Sequence, residues 1–143
     1  MPERNLVMGY LIGVALAAAV GLVATIVGLD RDRAFYPTVT IVIASYYVLF
    51  AICGGTSATI SAEIAVMSLF AGAAIAGFKC SLWFVVAALA AHGIYDFVHS
   101  TMLPHVGMPP WWPQFCLAYD VVAAGYLAVR LTRHQPKEST VVG

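Results

Sequence analysis

The sequence predicts an all-α fold: a polytopic membrane helical bundle of five transmembrane helices, forming a single domain over residues 1–143. Three observations carry this. Hydrophobic residues make up 62% of the chain and charged residues 10%, with a mean hydropathy of +0.88, whereas a soluble domain carries roughly 25% charged residues. The apolar residues fall into runs that each approach the roughly 20 residues a helix needs to cross a bilayer. The connectors between the runs are short and polar or glycine-rich.

The first span is expected at 6–29. It is too long for a signal-peptide core of about 7–15 residues, so it reads as a retained helix. It contains GYLIG, with Gly9 and Gly13 at the spacing that lets helices approach closely. That spacing suits packing within the chain, with a homodimer through small-residue faces as the alternative. The segment DRDR leads to the second span, 34–53, and GGTS leads to the third, 58–78. Merging these two through Gly54 and Gly55 would give a run too long for one crossing. Lys79 and Cys80 precede the fourth span, 81–103, and PHVGMPPWW precedes the fifth, 113–132. Residues 134–143 read as a mobile polar tail.

Five spans place Arg31, Arg33, Lys79, Arg130, Arg133 and Lys137 on one face and Arg4 on the other. The positive-inside rule then puts the C-terminus in the cytoplasm and the N-terminus outside. A bacterial inner membrane is the expected location and the lipid bilayer the first partner. Net charge is zero and no basic stripe is present, which excludes a nucleic-acid partner. Cys53, Cys80 and Cys116 form no CxxC pair, so they give no zinc-ribbon or redox signature. Cys53 and Cys116 fall near one membrane face, where a disulfide is open to them, but buried free thiols are the default.

The chemistry lies in the acids. Glu63, Asp96 and Asp120 interrupt apolar runs, and no Lys or Arg shares their depth. An uncompensated carboxylate in hydrocarbon costs several kcal/mol, so the three acids call for protons, a cation or a wet cavity. His92, Asp96 and His99 recur at i, i+4, i+7 within HGIYDFVHS and project from one stripe of a helix. Two imidazoles and a carboxylate form a ligand set for zinc or non-haem iron. The Asp96-x-x-His99 step also mirrors the carboxylate-x-x-His step of di-iron bundles. Counting about 1.5 Å per residue from the outer edge brings Glu63, Asp96, His99 and Asp120 into one slab. Ser45, Tyr46 and Tyr47 reach a similar depth.

These residues predict a divalent metal centre held by His92, Asp96, His99, Asp120 and Glu63, with Glu63 or Asp120 free to act as general base. Cys116, one turn before Asp120, is an additional candidate ligand that would favour zinc or copper. His105 in the loop is a candidate lid or entry residue, and Tyr46 a candidate neighbour of the site. No GxSxG, P-loop or GxGxxG pattern in a strand-to-helix context competes. His92 and His99 share one helix and no other span contains a His, which excludes a bis-His haem. The leading reading is a membrane-embedded metal-dependent hydrolase or oxidoreductase acting on a lipid-like or apolar small molecule. Its alternative is a metal or proton carrier, or a ligand-binding protein with a carboxylate–histidine cavity.

The motifs HGxxDxxH, from His92 to His99, and FCxxxD, from Phe115 to Asp120, resemble those of a group of small bacterial membrane proteins. The resemblance covers the last two spans, singles out His92, Asp96, His99, Cys116 and Asp120, and brings no activity with it. Ser100 stands where those proteins often have a further His. In chemistry, though not in motif order, the design is similar to alkaline ceramidases and adipocyte-type membrane receptors. That superfamily holds zinc among His, Asp and Ser inside a helical bundle and hydrolyses lipid amides.

Overall fold

A computed structural model of the protein describes residues 2–102 and 107–134. Five helices follow in order: α1 Pro2–Val27, α2 Phe35–Gly54, α3 Ser57–Lys79, α4 Trp83–Met102 and α5 Trp112–Arg133, with a 3-10 turn at Leu29–Arg31. His105 and residues 135–143 of the expected tail lie outside the described residues. Four helices, α1, α2, α3 and α5, are long and apolar enough to cross a membrane. The fourth span is the departure. Within α4 the apolar stretch among the described residues is Trp83–His99, and His92, Asp96 and His99 lie inside it.

Local signals set the helix ends. Gly28, at φ 88°, takes the left-handed conformation that closes α1. Asp32 closes the turn before α2, its side chain accepting from the Ala34 N–H at 2.9 Å, and Ala34 takes the N-cap position. Pro37 falls in the first turn of α2, where a missing N–H costs nothing. Thr56 caps α3 by accepting from the Thr59 N–H at 3.2 Å. Lys79 ends α3, and Arg130 and Arg133 end α5, facing the negative pole of each helix dipole.

The helices pack in the order α1, α5, α4, α3, α2, with α2 also touching α4. α1 and α2, joined by a short turn, are not among the closely packed pairs. In lipid, apolar burial would not drive helix association, and close packing and polar bonds would carry it. The GxxxG of α1 is used inside the chain, against α5. A Cβ at Gly9 would lie 2.9 Å from the Trp111 carbonyl oxygen, and one at Gly13 would overlap the Phe115 carbonyl oxygen. That obstacle is backbone and cannot swing aside. Gly13→Ala is expected to destabilise the bundle by about 1–3 kcal/mol, measured as a lower unfolding midpoint in detergent. An unchanged midpoint would show that α1 does not pack this way.

The core cluster contains Ala17, Ala123 and Ala124 with Tyr36, Ile43, Val85, Leu89, Tyr119 and Leu127. It separates two polar layers. One layer holds the acids of α3, α4 and α5. The other, at the α1–α2 turn, joins Asp30 to Arg130 in an ion pair. Thr25 Oγ1 lies between them, 2.6 Å from Arg130 Nη1 and 2.7 Å from Asp30 Oδ2, and 2.6 Å from the Tyr126 hydroxyl. The DRDR segment is therefore more than a solvated connector: its first Asp is buried and clasps α1 to α5.

Candidate metal centre

One turn of α4 separates His92 from Asp96, so both side chains leave the helix on the same stripe. That stripe faces α5, which presents Asp120. The three residues are buried, and one ligand atom from each lies within 4.8 Å of the other two. They form a His/Asp/Asp group that could hold a metal ion. His92 Nδ1 is 2.6 Å from Asp120 Oδ2 and 3.5 Å from Asp96 Oδ2. Asp96 and Asp120 expose none of their surface.

Their oxygens are unequally satisfied. Tyr47, on α2, donates its hydroxyl to Asp96 Oδ1 at 2.6 Å. Asp96 Oδ2 and Asp120 Oδ1 are buried without a hydrogen bond. A buried acceptor left unpaired costs roughly 1–3 kcal/mol, more if charged. Two such oxygens beside one imidazole leave a negative pocket that a cation would complete.

Glu63 and His99 stand outside that group and form a pair of their own. His99 Nε2 meets Glu63 Oε1 at 2.9 Å, and the nitrogen is the donor when the carboxylate is ionised. The Tyr95 hydroxyl donates to Glu63 Oε2 at 2.9 Å. Both Glu63 oxygens are thus occupied, while His99 Nδ1 has no hydrogen bond. The i, i+4, i+7 stripe exists, but its third member turns to Glu63 on α3 rather than to Asp120 on α5. The set is consequently one imidazole and two carboxylates, not two imidazoles and one.

Tyr47 bridges the two halves. Its ring stacks on His99 at 4.2 Å between centroids while its hydroxyl holds Asp96. Phe70 closes the far side, edge-on to His92 at 4.8 Å. Tyr46 packs against Trp112 at 5.1 Å between centroids and lines a groove to which Asp120 also contributes. Successive helical residues diverge by about 100°, so Tyr47 meets Asp96 while Tyr46 takes a different side. Cys116 is buried but outside the ligand group, and all three cysteines are free, with Cys53 and Cys80 exposed. Cys53 and Cys116 are not bridged.

A cavity of about 100 Å³, lined by Tyr47, Thr56, Thr59, Glu63, His99 and Met108 among others, reaches the Glu63–His99 pair from the α2–α3 turn. At about 30 Å³ per water it has room for roughly three. On the opposite side of His92 the buried Val85, Ala88 and Leu89 seal the layer. The polar layer therefore opens toward one end of the bundle. No protein-family model, curated protein or solved structure matches the chain.

Proposed function

We propose that the protein is a membrane-embedded metal-dependent enzyme acting on a lipid-like or apolar small molecule. The observation that carries this reading is the buried His92/Asp96/Asp120 group with two carboxylate oxygens unpaired. A divalent ion would bring a neutral imidazole and two carboxylates to formal neutrality. The donor set suits zinc or iron. The two motifs that resemble small bacterial membrane proteins supply all three ligands. Cytoplasmic placement of the end bearing Arg31, Arg33, Lys79, Arg130 and Arg133 belongs to the same proposal.

The fit asks for little movement. Ligand atoms about 2.0–2.1 Å from a tetrahedral ion stand roughly 3.3 Å apart. His92 Nδ1 and Asp96 Oδ2, at 3.5 Å, already meet this spacing. His92 Nδ1 and Asp120 Oδ2, at 2.6 Å, share a proton that an incoming ion would displace. A bound ion would supply Lewis acidity and activate water or oxygen. Tyr47 fixes Asp96, and Glu63 with His99 forms the acid–base pair beside the water cavity. The apolar seal at Val85 and Leu89 argues against a carrier, which needs a polar path to the other face.

Elemental analysis of detergent-purified protein tests the reading. Wild type is expected to hold a stoichiometric divalent metal, and His92→Ala and Asp96→Asn to lose it. Tyr47→Phe keeps all three ligands but frees Asp96, and should weaken metal affinity by about 10–100-fold. A folded wild type that binds no metal would overturn the proposal. The 2.6 Å His92–Asp120 contact would then favour a proton-carrying or ligand-binding cavity.

A further inference from the structure

An apolar groove of about 660 Å³ runs between α1 and α2 over α5, along the seam where the ring of helices does not close. Leu16 and Val20 form one wall, Val39 and Ile43 the other, and Phe115 and Tyr119 belong to the floor. Leu16, Leu29, Val42 and Tyr46, also in its lining, are exposed, so the groove opens along its side. From Phe35 to Tyr46 it follows α2 for about 17 Å.

The groove meets the metal group at one residue. Asp120 contributes to its wall and is also one of the three candidate ligands. Asp120 Oδ1 has no hydrogen-bond partner, and the residue is fully buried.

We infer that this groove binds a single hydrocarbon chain of a lipid-like substrate, admitted sideways from the bilayer and laid against Asp120. The chain's role as substrate rests on the metal-enzyme reading; its binding in the groove stands on shape and lining alone. Shape and lining select the occupant. The lining is mainly aliphatic and aromatic, with Asp32, Thr38 and Asp120 among its few polar members. An extended alkyl chain, about 4–5 Å across at van der Waals contact, fits. The volume falls in the usual range of small-molecule sites, about 300–1,000 Å³. A side opening among apolar helices favours an occupant dissolved in lipid. The smaller cavity beside Glu63 and His99 shares no lining residue with the groove.

Photolabelling of the full-length protein in lipid nanodiscs tests the inference. The probe is a sixteen-carbon fatty acid with a mid-chain diazirine, read by peptide mass spectrometry beside metal content. Labels should concentrate on Leu16, Val20, Val39 and Ile43. Val39→Trp, which fills the groove, should cut that labelling at least about tenfold with metal retained. Leu16→Trp at the exposed rim serves the same purpose if the first variant does not fold. Labels spread equally onto Ile26 and Leu69, exposed residues outside the groove, and insensitive to both variants, would overturn the inference. So would a cross-link to a second copy at the seam. Localised labelling in a protein without metal would preserve the groove and refute the enzyme reading.

Discussion

Protein carrying Asp120→Asn is expected to purify with metal at background level, and the effect on stability should change sign with the metal. Loaded wild type gains about 4 kcal/mol when free metal stands a thousandfold above Kd. An amide keeps the shape of Asp120 but not its charge, so the variant forfeits most of that gain. Under a chelator the balance reverses. The wild type then holds two carboxylates around one imidazole, with Asp96 Oδ2 and Asp120 Oδ1 both buried without a hydrogen bond. The substitution removes one anion and adds a donor, so the chelated variant should equal the chelated wild type or exceed it by roughly 1–3 kcal/mol. Thermal unfolding of both proteins, with metal and with chelator, gives the four values. Destabilisation of equal size in both conditions would mean that Asp120 serves packing alone.

Arg130→Ala is expected to cost about 3–5 kcal/mol, the penalty for stranding one member of a buried ion pair. The Asp30 side chain is 1% exposed, and its Oδ1 already lacks a hydrogen bond. Without the guanidinium, only Thr25 faces its other oxygen. The Arg130 side chain is 21% exposed, so some water reaches it and the lower part of the range is expected. Adding Asp30→Asn to Arg130→Ala should recover much of the loss, because the second change removes the stranded charge. A double-mutant cycle on unfolding midpoints measures that coupling. A single-variant loss below about 0.5 kcal/mol would place the pair among ordinary surface salt bridges.

The sequence exposes some of this and conceals the rest for identifiable reasons. Helix positions are legible to within a few residues, since polar or glycine-rich connectors interrupt the apolar runs. His92 and Asp96 are legible as a pair because spacing within one helix fixes relative direction. Asp120 stands out as a lone acid in an apolar run. Partners across helices are not legible, because they depend on how each helix is turned about its axis. That angle sends His99 to Glu63 rather than to Asp120, and gives Asp96 the hydroxyl of Tyr47. Tyr47 is the residue that depth alone reaches but cannot choose. Asp30 is hidden by its setting in DRDR, which reads as a solvated turn until α5 is known to lie beside α1. Thr25 and Tyr126, hydroxyls inside apolar runs, are the available hint.

The pairing of α1 with α5 bears on how the chain is made. Thr25 and Tyr126, which meet at 2.6 Å, are 101 residues apart. At about 5–20 residues per second, a ribosome needs roughly 5–20 s to travel between them. For that interval the first helix lacks the partner that covers Gly9 and Gly13 in the folded structure, because α5 has yet to be made. Truncation before Trp112 should accordingly yield an orphaned first helix, open to quality-control proteases.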